Sequence, residues 1–99
     1  MKTVDLLAMP GAPKVAHPVT PGEMYGPIPE DRDTWRSRFT VPFDYSGYPT
    51  ISMPCGLSGD GLPLSLQIAG HPLSEPILVQ TADAFERATE WHTMHPPGW

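Results

Sequence analysis

Leu62, Leu64, Leu66 and Ile68 alternate with Pro63, Ser65, Gln67 and Ala69. A period of two places the four large apolar side chains on one face of a strand running from Leu62 to Ala69. Thr50 to Cys55 (TISMPC) is short and rich in β-forming residues, and Ser58-Gly59-Asp60-Gly61 between the two segments is a strong turn signal. The pattern predicts a β-hairpin. Val4 to Met9 (VDLLAM) is almost continuously apolar and is closed by Pro10-Gly11, which predicts a strand covered on both faces.

Two segments carry helical signals. Asp31 or Asp33 can accept hydrogen bonds from the first free amides of a helix, predicting one that runs through TWRSRFTV towards Tyr45 with a kink at Pro42. Gly47 and Pro49 form the stop, because glycine enters the left-handed region freely and proline cannot continue the ladder. Ser74 is placed to cap a terminal helix with Pro76 in its first turn. Ile77, Leu78, Thr81, Ala82, Phe85, Ala88 and His92 recur at helical spacing. Gln80, Asp83, Glu86, Arg87 and Glu90 form its polar side, and Pro96-Pro97 is the expected end.

Composition narrows the remainder. Among 99 residues, fourteen prolines and nine glycines confine the core to a few short elements. Six of the prolines fall at positions 10 to 29, so residues 10–30 read as one long irregular loop. The formal charge of −5 with six Lys plus Arg argues against a nucleic-acid partner, since phosphates demand clustered cations. One cysteine, Cys55, excludes an internal disulfide framework and favours a reducing cytoplasm. The N-terminal stretch fits neither a secretory signal nor a spanning helix, and no segment reaches transmembrane length, so no membrane partner is expected.

Candidate chemistry is sparse. His92 and His95 stand three apart on the expected terminal helix, but no acidic or cysteine ligand completes a motif, so no metal is expected. Cys55 and Ser52 each lack the base and orienting group that a nucleophile needs. No nucleotide-binding glycine loop, HExxH or GxSxG motif is present. Trp35, Trp91 and Trp99 read as packing anchors between elements.

From Phe39 onward the chain resembles a family. Phe39 to Gly56 (FTVPFDYSGYPTISMPCG), Gly61 to Pro72 (GLPLSLQIAGHP) and the closing ERATEWHTMHPP are similar, in this order and spacing, to the carboxy-terminal end of amidase signature enzymes. VDLLAMPGAP, with Asp5 through Pro10, resembles a strand that precedes that region. The resemblance implies a partial amidase signature domain over residues 1–99, drawn from an α/β/α fold with a large mixed sheet flanked by helices. Here it supplies one strand, a long loop, a helix, a β-hairpin and a terminal helix.

The same resemblance implies carboxamide hydrolysis through an acyl-enzyme, by a serine assisted by a second serine and a lysine, with no cofactor. Those residues belong to family segments that this sequence does not match: Lys2 and Lys14 are its only lysines, and neither sits in such a motif. No catalytic residue is therefore assigned, and the chain alone is expected to be inactive. Thr34, Ser37 and Val41 (i, i+3, i+7) are the expected substrate contacts, on the helix that the family turns towards its acyl pocket. Glutamine-using amidotransferase subunits tend to carry an acidic group at about the Ser37 position. Serine there favours a general amidase over the amidase-like subunit of a tRNA-dependent amidotransferase. A small amide substrate is expected only in the complete enzyme. Association with the missing N-terminal portion, self-association through exposed strands, or service as a noncatalytic interaction module are the other partner readings.

Overall fold

A computed structural model describes residues 3–19, 21–22 and 37–99. Two antiparallel pairings build its sheet from β1 (Leu6–Pro10), β2 (Thr50–Leu57) and β3 (Pro63–Gly70) in the order β1-β3-β2. Two helices accompany them, α1 (Val41–Ser46) and α2 (Glu75–Ala88), followed by a 3₁₀ turn at Trp91–Thr93. The hairpin forms as the alternation requires. Ile51 lies opposite Ile68 and Met53 opposite Leu66, while Gly61 turns the chain with φ 78°. The Ser58 hydroxyl accepts the Leu62 amide at 3.1 Å. A bulge between Pro54 and Gly56 shifts the register near the turn.

β3 is central and differs from a one-sided strand. Its last four residues, Gln67 to Gly70, are all buried, whereas Leu62 and Leu64 at the hairpin end stay exposed. The cause lies in what covers each face. Leu78 and Ala82 of α2 pack with Met53 and Ile68, joined by Leu6, Ile51, Leu66 and Phe85. On the opposite face, the Gln67 side-chain amide donates to the Phe39 carbonyl at 3.3 Å and ties down the segment leading into α1. Both layers cover only the C-terminal half of β3.

β1 is shorter and more open than its apolar sequence predicts. It occupies a sheet edge with Leu7 and Ala8 exposed. The doubly covered strand expected from VDLLAM therefore does not occur here, since adjacent Leu7 and Ala8 point to opposite faces and both are exposed. Residues 11–19 and 21–22 form no regular element, and Pro10, placed in the expected 10–30 loop, instead ends β1; the rest of that loop, residues 20 and 23–30, lies outside the described residues.

Three further expectations change. The long helix to Tyr45 is reduced, among the described residues, to a turn at 37–40 followed by the six-residue α1. Pro42 sits in the first turn of that helix and kinks nothing, because a first-turn proline removes an amide that had no partner. Residues 31–36 lie outside the described residues. Ser74 occupies the N-cap position of α2, but its hydroxyl donates to the His71 carbonyl at 2.5 Å and makes no cap bond. The terminal helix ends at Ala88, well before Pro96. Thr89 turns extended, its hydroxyl donating to the Phe85 carbonyl at 2.9 Å, and the 3₁₀ turn with Trp91 packs back against β2. Among the described residues, no helix is long and apolar enough to cross a membrane.

Gly47 ends α1 as expected, with φ 71° and its amide bonded to the Phe43 carbonyl. A Cβ there would meet nothing within 4 Å, so Gly47→Ala should cost only the left-handed backbone penalty. We expect about 1 kcal/mol in urea unfolding.

Candidate functional site

The segment carrying the expected contacts crosses the sheet face opposite α2. Its shape follows from short-range bonds. The Thr40 amide and hydroxyl both donate to the Ser37 carbonyl, at 3.0 and 3.2 Å, and the Thr40 carbonyl receives the amides of Phe43 and Asp44. The Arg38 guanidinium lies 4.9 Å from the centre of the Phe39 ring. Gln67, only 2% exposed, anchors this turn to the sheet through Phe39. Gln67→Leu would leave that carbonyl without its amide donor. We expect a loss of about 1 kcal/mol, together with faster amide exchange through residues 37–49.

Ser37 and Val41 are both exposed; Thr34 lies outside the described residues. They do not share the face of one continuous helix, since Ser37 precedes α1 and Val41 begins it. Tyr45, one turn beyond Val41 and 94% exposed, stands beside it at i+4. Its spacing from Val41 is the only signal in the sequence that could have marked Tyr45. Val41 and Tyr45 thus share a face of α1, and Ser37 stands apart in the preceding turn, on a segment tied to the sheet through Phe39.

The remaining candidates are dispersed. Ser52 is exposed in the middle of β2, opposite Gln67. Cys55 is half-buried at the bulge. His92 lies in the 3₁₀ turn and His95 beyond it, so the two do not share a helix face. Trp91 packs beside β2 within its turn, but Trp99 is 96% exposed and anchors nothing, contrary to expectation; Trp35 lies outside the described residues. Among the described residues, no three His, Cys, Asp or Glu side chains are grouped to hold a metal ion. Among the described residues the geometry assembles no nucleophile with a base.

The model of the Amidase family matches residues 1–79. The chain belongs to the amidase family. Among curated proteins, this amidase-family chain is 40% identical over 98 residues to the A subunit of glutamyl-tRNA(Gln) amidotransferase from Chloroflexus aggregans, covering 94% of itself and 18% of that protein. The corresponding protein of Methanosarcina acetivorans is also 40% identical, with 98% and 19% covered. Among solved structures, 6-aminohexanoate cyclic dimer hydrolase superimposes with a TM-score of 0.75 at 30% identity, over 94% of this chain and 21% of the hydrolase. The chain spans about a fifth of the length of these relatives. The partial amidase α/β arrangement expected from the sequence is thus the one observed.

Proposed function

We propose that the chain is the C-terminal portion of an amidase that hydrolyses carboxamides to a carboxylate and ammonia or an amine, supplying part of the sheet and one wall of the acyl pocket. Thr34, Ser37 and Val41 are its substrate contacts. The reacting serine pair and lysine lie in the rest of the enzyme. There the serine oxygen attacks the amide carbonyl, the second serine and lysine pass a proton to the departing nitrogen, and water releases the acyl group. This chain's part is to hold the acyl group in place, which matters because small misplacements of reacting atoms cost large factors in rate. A hydroxyl at Ser37 and an apolar Val41 suit an uncharged acyl chain. The single cysteine suits a cytoplasmic location.

The observation that carries this reading is the match of 94% of the chain to a fifth of an amide hydrolase, with Ser37 and Val41 exposed on a clamped segment. The test is a chimera in which this chain replaces the matching fifth of 6-aminohexanoate cyclic dimer hydrolase. We expect a soluble chimera to retain serine-dependent amide hydrolysis, with Val41→Trp changing which amides it accepts. A folded chimera without hydrolysis contradicts the reading.

The second reading is a piece of the amidase-like subunit of a tRNA-dependent amidotransferase, supported by 40% identity to such proteins. It requires the assembled enzyme to release ammonia from glutamine. The absence of an acid at Ser37 weighs against that, since a carboxylate is the natural partner of the glutamine ammonium.

A further inference from the structure

Among the described residues, Gln67 is the one buried side chain that is polar. An amide taken out of water is costly unless it is hydrogen-bonded, and an apolar side chain of similar size would fill the same space without that cost. Here the amide nitrogen has a specific partner, the Phe39 carbonyl, 3.3 Å away and 28 residues earlier in the chain. Gln67 is itself firmly placed. β3 is paired on both sides, with Met9 and Ser52 opposite Gln67 on the two neighbouring strands.

The segment that Gln67 reaches is not fixed by burial, because α1 contributes no buried residue. Hydrogen bonds hold it instead. Its far end returns to the same strand through a backbone bond, from the Gly70 amide to the Pro49 carbonyl at 3.0 Å. Within the span, the amides of Phe43 and Asp44 donate to the Thr40 carbonyl and the Gly47 amide donates to the Phe43 carbonyl. Residues 39–49 therefore form a bridge over β3, tied at one end by the backbone and at the other by a side chain. Only the second tie depends on which residue stands at its position.

We propose that Gln67 is a positioning residue for amide hydrolysis: its side-chain amide sets the place of the segment bearing Ser37 and Val41, and through that segment the seat of the substrate's acyl chain. This rests on the amidase reading above, and adds a residue that acts through the wall of the pocket. A long acyl chain depends on that wall more than a short one does. Loss of the tie should therefore penalise long-chain amides selectively.

The test compares kcat/KM for hexanamide and acetamide in the hydrolase chimera, because the ratio of the two does not depend on how much of the enzyme is folded. Gln67→Met keeps the length of the side chain and removes the donor. The hexanamide-to-acetamide ratio should fall by about tenfold, the scale on which misplaced reacting groups lose rate. Gln67→Asn, which draws the amide back by one methylene, should give the same fall, and either variant suffices if the other fails to fold. Hydrogen exchange read by mass spectrometry should quicken over residues 39–49 and stay unchanged in α2. Ile68→Val, the neighbour on the face towards α2, is the control for a general loss of stability and should leave the ratio as it was.

An equal fall in Ile68→Val overturns the proposal, as does a fall without faster exchange at 39–49. If Val41→Trp shifts the ratio while the Gln67 variants do not, the proposal fails and the amidase reading stands. If none of the three shifts it, the contact assignment at Ser37 and Val41 fails as well. A folded chimera that hydrolyses neither amide with Gln67 in place removes the amidase reading and the proposal together.

Discussion

Leu78→Ala should abolish cooperative unfolding of the chain, or leave it barely detectable. Leu78 is 2% exposed and stands at the centre of the cluster formed with Met53, Ile68 and Ala82. Truncating a fully buried leucine removes its transfer free energy and leaves a cavity, at a cost of about 3 kcal/mol. Small domains seldom have more than about 5 kcal/mol to lose, and only five apolar residues among those described are buried here. Urea titration followed by circular dichroism at 222 nm would show the effect. The neighbouring Val79, 60% exposed on the same helix, is the control: its alanine variant should change stability by at most about 0.5 kcal/mol. Equal losses from the two would mean that α2 does not pack as described.

Gly70→Ala is the second large effect. Gly70 ends β3 opposite Leu6, and its amide donates to the Pro49 carbonyl at 3.0 Å. A Cβ at this position would fall inside the contact distance of the Ser74 hydroxyl oxygen, and at 3.4 Å from both Leu6 Cδ2 and Leu78 Cγ. The Ser74 hydroxyl is therefore the atom that must give way, while Leu6 and Leu78 stand at ordinary contact distance. We expect the alanine to cost about 2 kcal/mol, as overpacked sites do. Ser74→Ala alone removes the bond to the His71 carbonyl, at about 1 kcal/mol. In the double variant the clashing oxygen is gone, so its loss should fall below the sum of the single losses. A double-mutant cycle in urea measures that coupling; strict additivity would place the strain elsewhere.

The hairpin was legible in the sequence because its leucines alternate over a full strand and its turn is rich in glycine, two local signals in agreement. Gly47 was legible for the same reason. What was not legible depended on distant neighbours. Whether Pro42 kinks a helix or starts one depends on where the helix begins, and the described turn at 37–40 puts that start at Val41. The end of α2 is set by packing of the Trp91 turn against β2, a tertiary contact that outweighs the helical run continuing to His92. Ser74 looked like a cap, yet a closer acceptor, the His71 carbonyl, takes its hydroxyl.

The site divides in the same way. Ser37 and Val41 are marked only by family resemblance, since nothing in the polarity pattern singles them out. The Gln67 clamp beneath them was hidden because an alternating strand assigns Gln67 to a polar, solvent-facing side. The structure instead buries it and gives its amide a partner 28 residues away.

The central claim is that this chain houses part of an amidase site and does not itself cut amides. The purified chain incubated with simple carboxamides, with ammonia release measured against time, addresses this most directly. The account predicts no release above a buffer blank. Steady release that disappears in the Ser52→Ala variant would contradict it, because the reacting serine would then lie on β2 of this chain.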